Sequence, residues 1–146
     1  MANLQTIKIK KIHPKAIVPK LATNGSACFD LYSCEDFVLS NGYFHMAKTG
    51  IIMEIPEGYH VEVCSRSGMA RKGIIIPNSP GIVDSDYRGE AMVMLYGLFM
   101  KNREIFQVGS RIAQCKLVRN VPTQFQVVSK LSETERGSGG FGSTGK

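Results

Sequence analysis

The chain is a succession of short runs in which apolar and polar residues alternate, separated by glycine, proline, asparagine and aspartate. Alternation with a period of two is typical of half-buried β-strands, and the separating residues are typical of turns. The pattern predicts strands at residues 6–13, 27–33, 43–55, 59–64, 73–76, 90–96, 104–108, 111–119 and 123–129. A short helix is predicted only at residues 67–72. This spacing favours an all-β jelly roll or barrel over alternating strands and helices.

The last residues of the chain differ from the rest in composition. From Arg136 onward the sequence reads RGSGGFGSTGK, with five glycines in eleven residues. We therefore divide the chain into a β domain at residues 1–130 and a flexible glycine-rich arm at residues 131–146. Glycines let backbone amides converge on phosphate oxygens, Arg136 adds charge-assisted hydrogen bonds, and Phe141 offers a stacking face. Residues 140–146 also match the spacing of a P-loop, but that motif needs a preceding strand and a following helix, so we reject it.

Length and composition restrict the class of protein. With 146 residues, 43% of them hydrophobic and 21% charged, the chain is predicted to be one ordinary globular domain. No apolar run approaches the roughly 18 residues of a membrane span, and the N-terminus lacks the apolar stretch of a secretion signal. We therefore expect a cytoplasmic or nuclear location and no membrane partner. Cys28, Cys34, Cys64 and Cys115 lack the spacing of a zinc site, and we expect them to be reduced thiols.

The formal charge of +6 raises the question of a nucleic-acid partner. Five lysines lie near the N-terminus, at Lys8, Lys10, Lys11, Lys15 and Lys20. Isoleucines at positions 7, 9 and 12 interleave with them, as on a half-buried strand whose outer face is solvated. Such lysines also discourage edge-to-edge pairing of strands. We favour this solvated face over a nucleic-acid footprint.

Residues 81–90 hold three carboxylates, Asp84, Asp86 and Glu90, between apolar strands. An exposed acidic turn is the simplest interpretation of this segment. However, Asp84 directly follows an Ile-Val pair, where a strand end could hold a carboxylate rigidly as a general base. Tyr87 could wall a pocket beside it, and Gly89 suits a hairpin turn that a ligand can approach. Both interpretations stay open on this segment alone.

Two weaker signals lie on either side of the acidic segment. Upstream, Ser67 is predicted to cap the short helix, and its first amides with Arg66 could bind an anion. Downstream, Gln114 is a polar residue in an otherwise apolar strand. A satisfied polar group at a strand edge explains Gln114 equally well, so neither signal identifies a site by itself.

Taken in order, five segments resemble the motifs of the trimeric dUTP nucleotidohydrolase (dUTPase) family. They are ACFDLYS at 27–33, RSGMA at 66–70, NSPGIVDSDYRGE at 78–90, GSRIAQ at 109–114 and RGSGGFGSTG at 136–145. The resemblance spans residues 20–146. It implies a distorted jelly-roll barrel of the dUTPase-like β-clip type, and a homotrimer whose active sites are shared between subunits. It also implies Mg²⁺-dependent hydrolysis of dUTP to dUMP and pyrophosphate, which keeps uracil out of DNA and supplies dUMP for thymidylate synthesis.

The resemblance also implies roles for individual residues. Asp84 would activate the water that attacks the α-phosphorus, Tyr87 would pack on the deoxyribose and exclude a 2′-hydroxyl, and Asp30 would hold hydrated Mg²⁺ through water. The hairpin at residues 81–94 would read the uracil edge, and the arm would close over the substrate. A substrate-binding role is implied for Arg66, Ser67, Gly68, Asn78, Gly81, Val83, Tyr87, Met92, Gln114, Arg136, Phe141, Gly142, Ser143 and Thr144.

The chain departs from the family pattern at three positions. Cys28 stands where the family usually has glycine, Gly97 replaces a usual asparagine, and Ser110 replaces a usual acidic residue. Residues 97–109 are also about one residue longer than is common. We expect these changes to lie at subunit contacts or turns. Two alternatives remain, namely a dCTP deaminase or bifunctional deaminase/diphosphatase of the same fold, and a nucleotide-dependent regulatory binding protein.

Overall fold

The strands of this chain are short and almost continuous along the sequence. A computed structural model describes residues 4–140. Within that range the chain forms β1 (Lys8–Lys11), β2 (Lys20–Leu21), β3 (Phe29–Tyr32), β4 (Phe37–Leu39), β5 (Phe44–Ala47), β6 (Ile51–Glu54), β7 (Tyr59–Cys64), α1 (Ser67–Ala70), β8 (Ile74–Ile75), β9 (Gly81–Val83), β10 (Val93–Gly97), β11 (Glu104–Phe106) and β12 (Arg111–Arg119). The prediction of an all-β fold is confirmed, and the short helix lies within the predicted range.

The largest sheet is antiparallel and has the strand order β2-β3-β12-β7-β9. The long β12 lies at its centre and places Gln114 beside Asp30 on one side and Cys64 on the other. Three smaller sheets, β5-β10-β8, β1-β6 and β11-β4, complete the barrel. The order of the central strands therefore brings together residues that are far apart in the sequence.

The alternating strands form the core because each presents one apolar face to the interior. β7 buries Val61 and Val63, while β12 buries Ile112, Ala113 and Cys115. Buried polar side chains are satisfied, and within residues 4–140 no buried side-chain nitrogen or oxygen lacks a hydrogen-bond partner. The site is thus attached to a closely packed scaffold.

The lysine-rich N-terminal segment forms β1, which pairs with β6. Lys8, Lys10 and Lys11 are exposed, whereas Ile9 packs against the core. Lys8 Nζ lies 2.6 Å from Glu54 Oε1 on the neighbouring strand. The exposed lysines and the half-buried positions of Ile7 and Ile9 agree with the prediction, whereas Ile12 is 48% exposed and lies outside β1.

Several strand boundaries differ from the prediction. The predicted strand 43–55 is two strands, because Gly50 between them adopts a φ of +70°. A Cβ at Gly50 would lie 2.7 Å from His13 Cβ, so the chain turns there in close contact with the N-terminal loop. The strands β2, β4 and β9 were not predicted as separate elements, whereas β7 and β12 have the predicted bounds.

The predicted strand at residues 123–129 is wrong. These residues are exposed and pair with no strand within residues 4–140. Phe125 is 95% exposed and Val127 is 100% exposed, so this apolar pattern has no partner among the residues that the structure describes. No helix among the described residues is long and apolar enough to cross a membrane.

Candidate active site

Residues from three sequence segments line one cavity of about 360 Å³, which we call the arginine pocket. Its walls come from the loop before β3, from β3 itself, from the start of α1 and from β12. The lining residues are Ala22, Ser26, Ala27, Cys28, Asp30, Arg66, Ser67, Gly68 and Gln114. The structure therefore brings together five residues of the first, second and fourth motifs for which a site role was predicted.

A buried carboxylate between two arginines organises this pocket. Asp30 Oδ1 accepts a hydrogen bond from Arg66 Nε at 2.9 Å, and Asp30 Oδ2 lies 3.4 Å from Arg111 Nη1. The side chain of Asp30 is 9% exposed, that of Arg66 24% and that of Arg111 51%. Asp30 thus fixes the direction of the Arg66 guanidinium, which leaves Arg66 with further donors for an anion.

Gln114 contributes to the same pocket in a way that its position in the sequence does not reveal. Its Nε2 donates to the backbone oxygen of Ser65 at 3.0 Å, and Ser65 Oγ accepts the amide hydrogen of Ile76 at 3.2 Å. The half-buried amide therefore holds the segment that leads into Arg66.

The predicted helix cap at Ser67 is wrong, because Arg66 is the N-cap residue, its backbone is extended, and Ser67 begins the helix.

The acidic segment lies in the connection between β9 and β10, two strands that belong to different sheets and do not pair with each other. The expected hairpin at residues 81–94 is therefore not a pair of hydrogen-bonded strands, and we call this segment the hairpin in name only. Asp84 is exposed directly after β9, and its carbonyl accepts the Tyr87 amide at 3.2 Å. Two small cavities of about 200 and 90 Å³ lie along this hairpin. Between them they are lined by six of the predicted site residues, namely Asn78, Gly81, Val83, Asp84, Tyr87 and Met92.

The third carboxylate of the acidic segment anchors the hairpin to the barrel. Glu90 Oε1 accepts the Gly50 amide hydrogen at 2.7 Å, and the Thr49 hydroxyl donates to the carbonyl of Ala91 at 2.6 Å. An isolated bridge between Ile52 and Glu90 lies beside these bonds. Glu90 therefore holds the end of the turn in place. Among the described residues, the side chain of Asp84 makes no comparable hydrogen bond to the barrel.

The described site residues form two separate groups, one at the arginine pocket and one at the hairpin. The arginine pocket and the hairpin cavities share no lining residue among those described. β7 pairs with both groups, since Cys64 lies opposite Gln114 and Val61 lies opposite Val83. β9 runs antiparallel to β7, so Asp84 continues from Val83 toward His60 and away from Cys64. Asp84 thus lies at the level of His60 and Gln114 at the level of Cys64. These two levels are four residues apart on β7, which corresponds to about 13 Å along the strand.

The arm is described only in part. Residues 131–140 carry a turn in which Arg136 Nε donates to the carbonyl of Gly139 at 2.8 Å, and Arg136 is exposed. Arg136 lines neither the arginine pocket nor a hairpin cavity. The predicted substrate-binding residues Phe141, Gly142, Ser143 and Thr144 lie outside the described residues.

Comparison with known proteins agrees with the order of the five motifs. A sequence model of the dUTPase family matches residues 14–145. The chain belongs to the dUTPase family. It is 45% identical over 140 residues to a deoxyuridine 5'-triphosphate nucleotidohydrolase of Helicobacter pylori, covering 95% of this chain and 96% of that protein. A protein of the same name from Nautilia profundicola is 44% identical over 143 residues, covering 96% of this chain and 99% of the other.

The fold of this dUTPase-family chain is also similar to solved structures. The dUTPase of Staphylococcus bacteriophage 80alpha with dUPNHPP superposes with a TM-score of 0.84 at 27% identity. The match covers 97% of this chain and 99% of the phage chain. The predicted jelly-roll barrel of the dUTPase type is therefore confirmed as the fold.

The departures from the usual dUTPase pattern have different structural settings. Ser110 lies in a turn, where its Oγ accepts the amide hydrogen of Gln107 at 3.0 Å, as expected. Cys28 is instead part of the arginine pocket. Gly97 ends β10, where a Cβ would overlap the carbonyl oxygen of Ser40, so close packing of backbone excludes a side chain there. Ser110 thus meets the expectation of a turn, whereas the position of Cys28 and Gly97 at subunit contacts stays a prediction.

The cysteines of this dUTPase-family chain are thiols. None of the four is paired in a disulfide, and within residues 4–140 no group of three His, Cys, Asp or Glu side chains could hold a metal ion. Burial raises the pKa of the Cys115 thiol to about 12. Burial also raises the pKa values of Cys34 and Cys64, so these thiols are weak nucleophiles at neutral pH.

Proposed function

We propose that this chain hydrolyses dUTP to dUMP and pyrophosphate by attack of water on the α-phosphorus. The observation that carries the proposal is the arginine pocket, in which Asp30, Arg66, Ser67 and Gln114 converge in a chain of the dUTPase family. Its relatives are named for action on deoxyuridine 5'-triphosphate. Phosphoryl transfer needs mainly positioning and neutralisation of charge, which an oriented guanidinium supplies.

We propose Mg²⁺ as the cofactor, held by Asp30 through water. The donor chemistry fits, because Mg²⁺ typically keeps several waters and uses one or two carboxylates together with substrate phosphates. Each carboxylate oxygen of Asp30 has a second lone pair besides the one that faces an arginine. When bound, the ion would neutralise charge on the phosphate oxygens. Arg66 and Ser67 would then contact the phosphates, while Gln114 holds the Ser65 backbone that positions them.

The hairpin would bind the nucleoside and supply the general base. Asp84 stands at the end of β9, where its carboxylate can take a proton from the attacking water, a contribution of roughly 10²–10⁴-fold. Backbone groups at Gly81, Val83 and Met92 would read the uracil, with Asn78 at the mouth of the hairpin. A Cβ at Gly81 would lie 3.2 Å from Asn78 Nδ2, so the missing side chain makes room for that amide.

We propose a homotrimer in which each active site combines parts of different subunits. The separation of about 13 Å along β7 places Asp84 away from the arginine pocket of its own chain, which supports the pairing of Asp84 with the pocket of a neighbouring subunit. The exposed apolar residues after β12 offer a means of association, and they are Val121, Phe125, Val127 and Leu131. An apolar groove of about 480 Å³ on the barrel, which includes Ile7, Ile9, Val18, Phe29 and Leu117, could receive such a segment from a neighbour.

The arm is proposed to complete the site. Arg136, Ser143 and Thr144 would grip the γ-phosphate, Gly142 would allow close approach of backbone, and Phe141 would stack on uracil. Closure over the substrate would exclude water other than the nucleophile. The exposure of residues 131–138 supports an arm separate from the domain at residues 1–130.

The activity is tested by measuring pyrophosphate release from every deoxy- and ribonucleoside triphosphate, with and without Mg²⁺. We expect release from dUTP in the presence of Mg²⁺ and little from UTP or dCTP. Ammonia release from dCTP would favour the deaminase alternative and refute the proposed substrate. Tyr87→Ala should increase the relative use of UTP, because the wall beside the deoxyribose is lost.

Shared sites are tested by mixing two inactive variants, Asp84→Asn in the hairpin and Arg66→Ala in the pocket. If each site takes its pocket from one subunit and its hairpin from another, random trimers at a 1:1 ratio have about a quarter of their sites intact. Co-refolding should therefore restore about a quarter of the wild-type turnover. Absence of recovery, with heterotrimers verified by differently tagged subunits, would refute sharing but leave the proposed reaction standing.

A further inference from the structure

The ring of Tyr87 lies directly against the backbone of Gly89. A Cβ at Gly89 would overlap Tyr87 Oη and Cζ, and it would lie 2.9 Å from Tyr87 Cε2. These three atoms of the tyrosine side chain are the nearest neighbours of that position. The φ of Gly89 lies outside the left-handed region, so alanine is compatible with its backbone. The conflict created by a side chain at residue 89 is therefore with the tyrosine ring.

A second contact holds the ring from its polar end. The Tyr87 hydroxyl donates to the carbonyl oxygen of Glu90 at 3.3 Å. That carbonyl belongs to the residue whose side chain accepts the Gly50 amide hydrogen and whose backbone bridges to Ile52. The Tyr87 ring thus packs on the backbone of Gly89. Its hydroxyl is hydrogen-bonded to Glu90, which is itself held against the barrel.

Without these supports Tyr87 would have little to restrain it. The side chain is 45% exposed and lies in a turn, where a free ring samples several rotamers. A wall that rejects one additional hydroxyl group must hold its position to within about 0.5 Å. The geometry of residue 89 therefore bears on substrate selection although Gly89 has no side chain to touch a substrate.

We propose that Gly89 is a positioning residue for sugar discrimination, acting through the ring of Tyr87. The absence of a side chain lets the ring close over the backbone, and the Glu90 carbonyl fixes its hydroxyl. This inference rests on the proposed role of Tyr87 at the deoxyribose. It assigns Gly89 a role in selectivity, rather than in the turn alone.

The test is a double-mutant cycle between residues 87 and 89. For wild type, Gly89→Ala, Tyr87→Ala and the double variant, kcat/KM is measured with dUTP and with UTP. Gly89→Ala should reduce the preference for dUTP over UTP by about tenfold, the scale on which a pocket distinguishes one small group. In the Tyr87→Ala background the same substitution should change nothing. Gly25→Ala is the matched control, because a Cβ there meets no atom within 4 Å.

A spectroscopic measurement separates displacement of the ring from a general loss of structure. In protein labelled with 3-fluorotyrosine, the ¹⁹F signal of Tyr87 is assigned by its loss in Tyr87→Phe. Gly89→Ala should shift and broaden this signal while leaving those of the other four tyrosines in place. Tyr87→Phe should also relax selectivity, since it removes the bond to Glu90 without altering residue 89.

The outcomes distinguish this inference from the proposed function. Unchanged selectivity in Gly89→Ala, or an equal loss in both backgrounds, would overturn the role of Gly89 and leave dUTP hydrolysis intact. Unchanged selectivity in Tyr87→Ala would overturn the roles of both residues. The proposed reaction is judged separately, by pyrophosphate release from dUTP in the wild-type protein.

Discussion

The carboxylate of Asp30 provides the most quantitative test of the arginine pocket. Asp30→Asn keeps the shape of the side chain but removes its charge, so two guanidinium groups then face a neutral amide. The bond to Arg66, at 2.9 Å and partly buried, is of the charge-assisted kind that contributes about 1.5–3 kcal/mol. The contact with Arg111 is 3.4 Å long and half exposed, so solvent screening reduces it to about 0.2–1 kcal/mol.

These contributions predict that Asp30→Asn lowers the free energy of unfolding by about 2 kcal/mol, because asparagine still offers one acceptor. For a domain of this size the change corresponds to a decrease in Tm of about 4–8 °C. The chain has no tryptophan, so urea unfolding should be followed by far-ultraviolet circular dichroism. Protein concentration must be held constant, since the proposed trimer would make the unfolding midpoint depend on it.

The matched control is Arg111→Gln, which removes only the weaker contact and should lower the free energy of unfolding by less than about 1 kcal/mol. In Asp30→Asn, the loss of orientation at Arg66 should also raise KM for dUTP. The reasoning is refuted if Asp30→Asn unfolds within about 0.5 kcal/mol of wild type, the ordinary effect of a surface substitution. It is also refuted if the two variants are equally destabilised.

Four further outcomes are expected. Asp84→Asn should lower kcat by about 10²–10⁴-fold while calorimetry shows dUTP still bound, and near-normal turnover would remove Asp84 as the base. A chain ending at Glu135 should lose most turnover but sediment as the same oligomer; a monomer would contradict the proposed arm. Gly73→Ala should be more destabilising in urea than Gly58→Ala. Both glycines have a φ near +80°, but only at Gly73 would a Cβ overlap a backbone oxygen, that of Leu98, so equal effects would contradict this explanation. Finally, burial raises the pKa of Cys115 from 9.0 to about 12. Between about pH 9 and 12 the folded state therefore keeps a proton that the unfolded chain releases, so the free energy of unfolding should decrease as the pH rises. Cys115→Ala should make this decrease smaller.

The strands that could be predicted from sequence are those with one buried face. β7 and β12 have the predicted bounds because alternation along them follows burial of one side. The two-residue strand β2 carries too little pattern to be predicted and exists only through its pairing with β3. The segment at residues 123–129 has an apolar pattern but no partner within the described chain, which is why the same reasoning failed there.

The site shows a similar division between what sequence reveals and what it does not. Motif resemblance indicated Asp30, Arg66 and Gln114, and the register of β3, β12 and β7 then accounts for their proximity. The roles of Arg111 and Glu90 were missed. Arg111 is 81 positions from Asp30 in the sequence, and Glu90 is 40 positions from Gly50. No local pattern encodes such contacts, since they arise from topology.

The position of β7 between the two groups has a consequence for catalysis. Its backbone pairs with β12, which carries Gln114 of the arginine pocket, and with β9, which leads to Asp84. If the proposed trimer shares its sites, the distance from the base on one subunit to the phosphate on another is set at the boundary between these subunits. Substitutions that shift the packing of subunits should then change kcat even when they touch no substrate. The affinity of the arginine pocket for phosphate should change less, because Asp30, Arg66 and Gln114 are fixed within a single barrel.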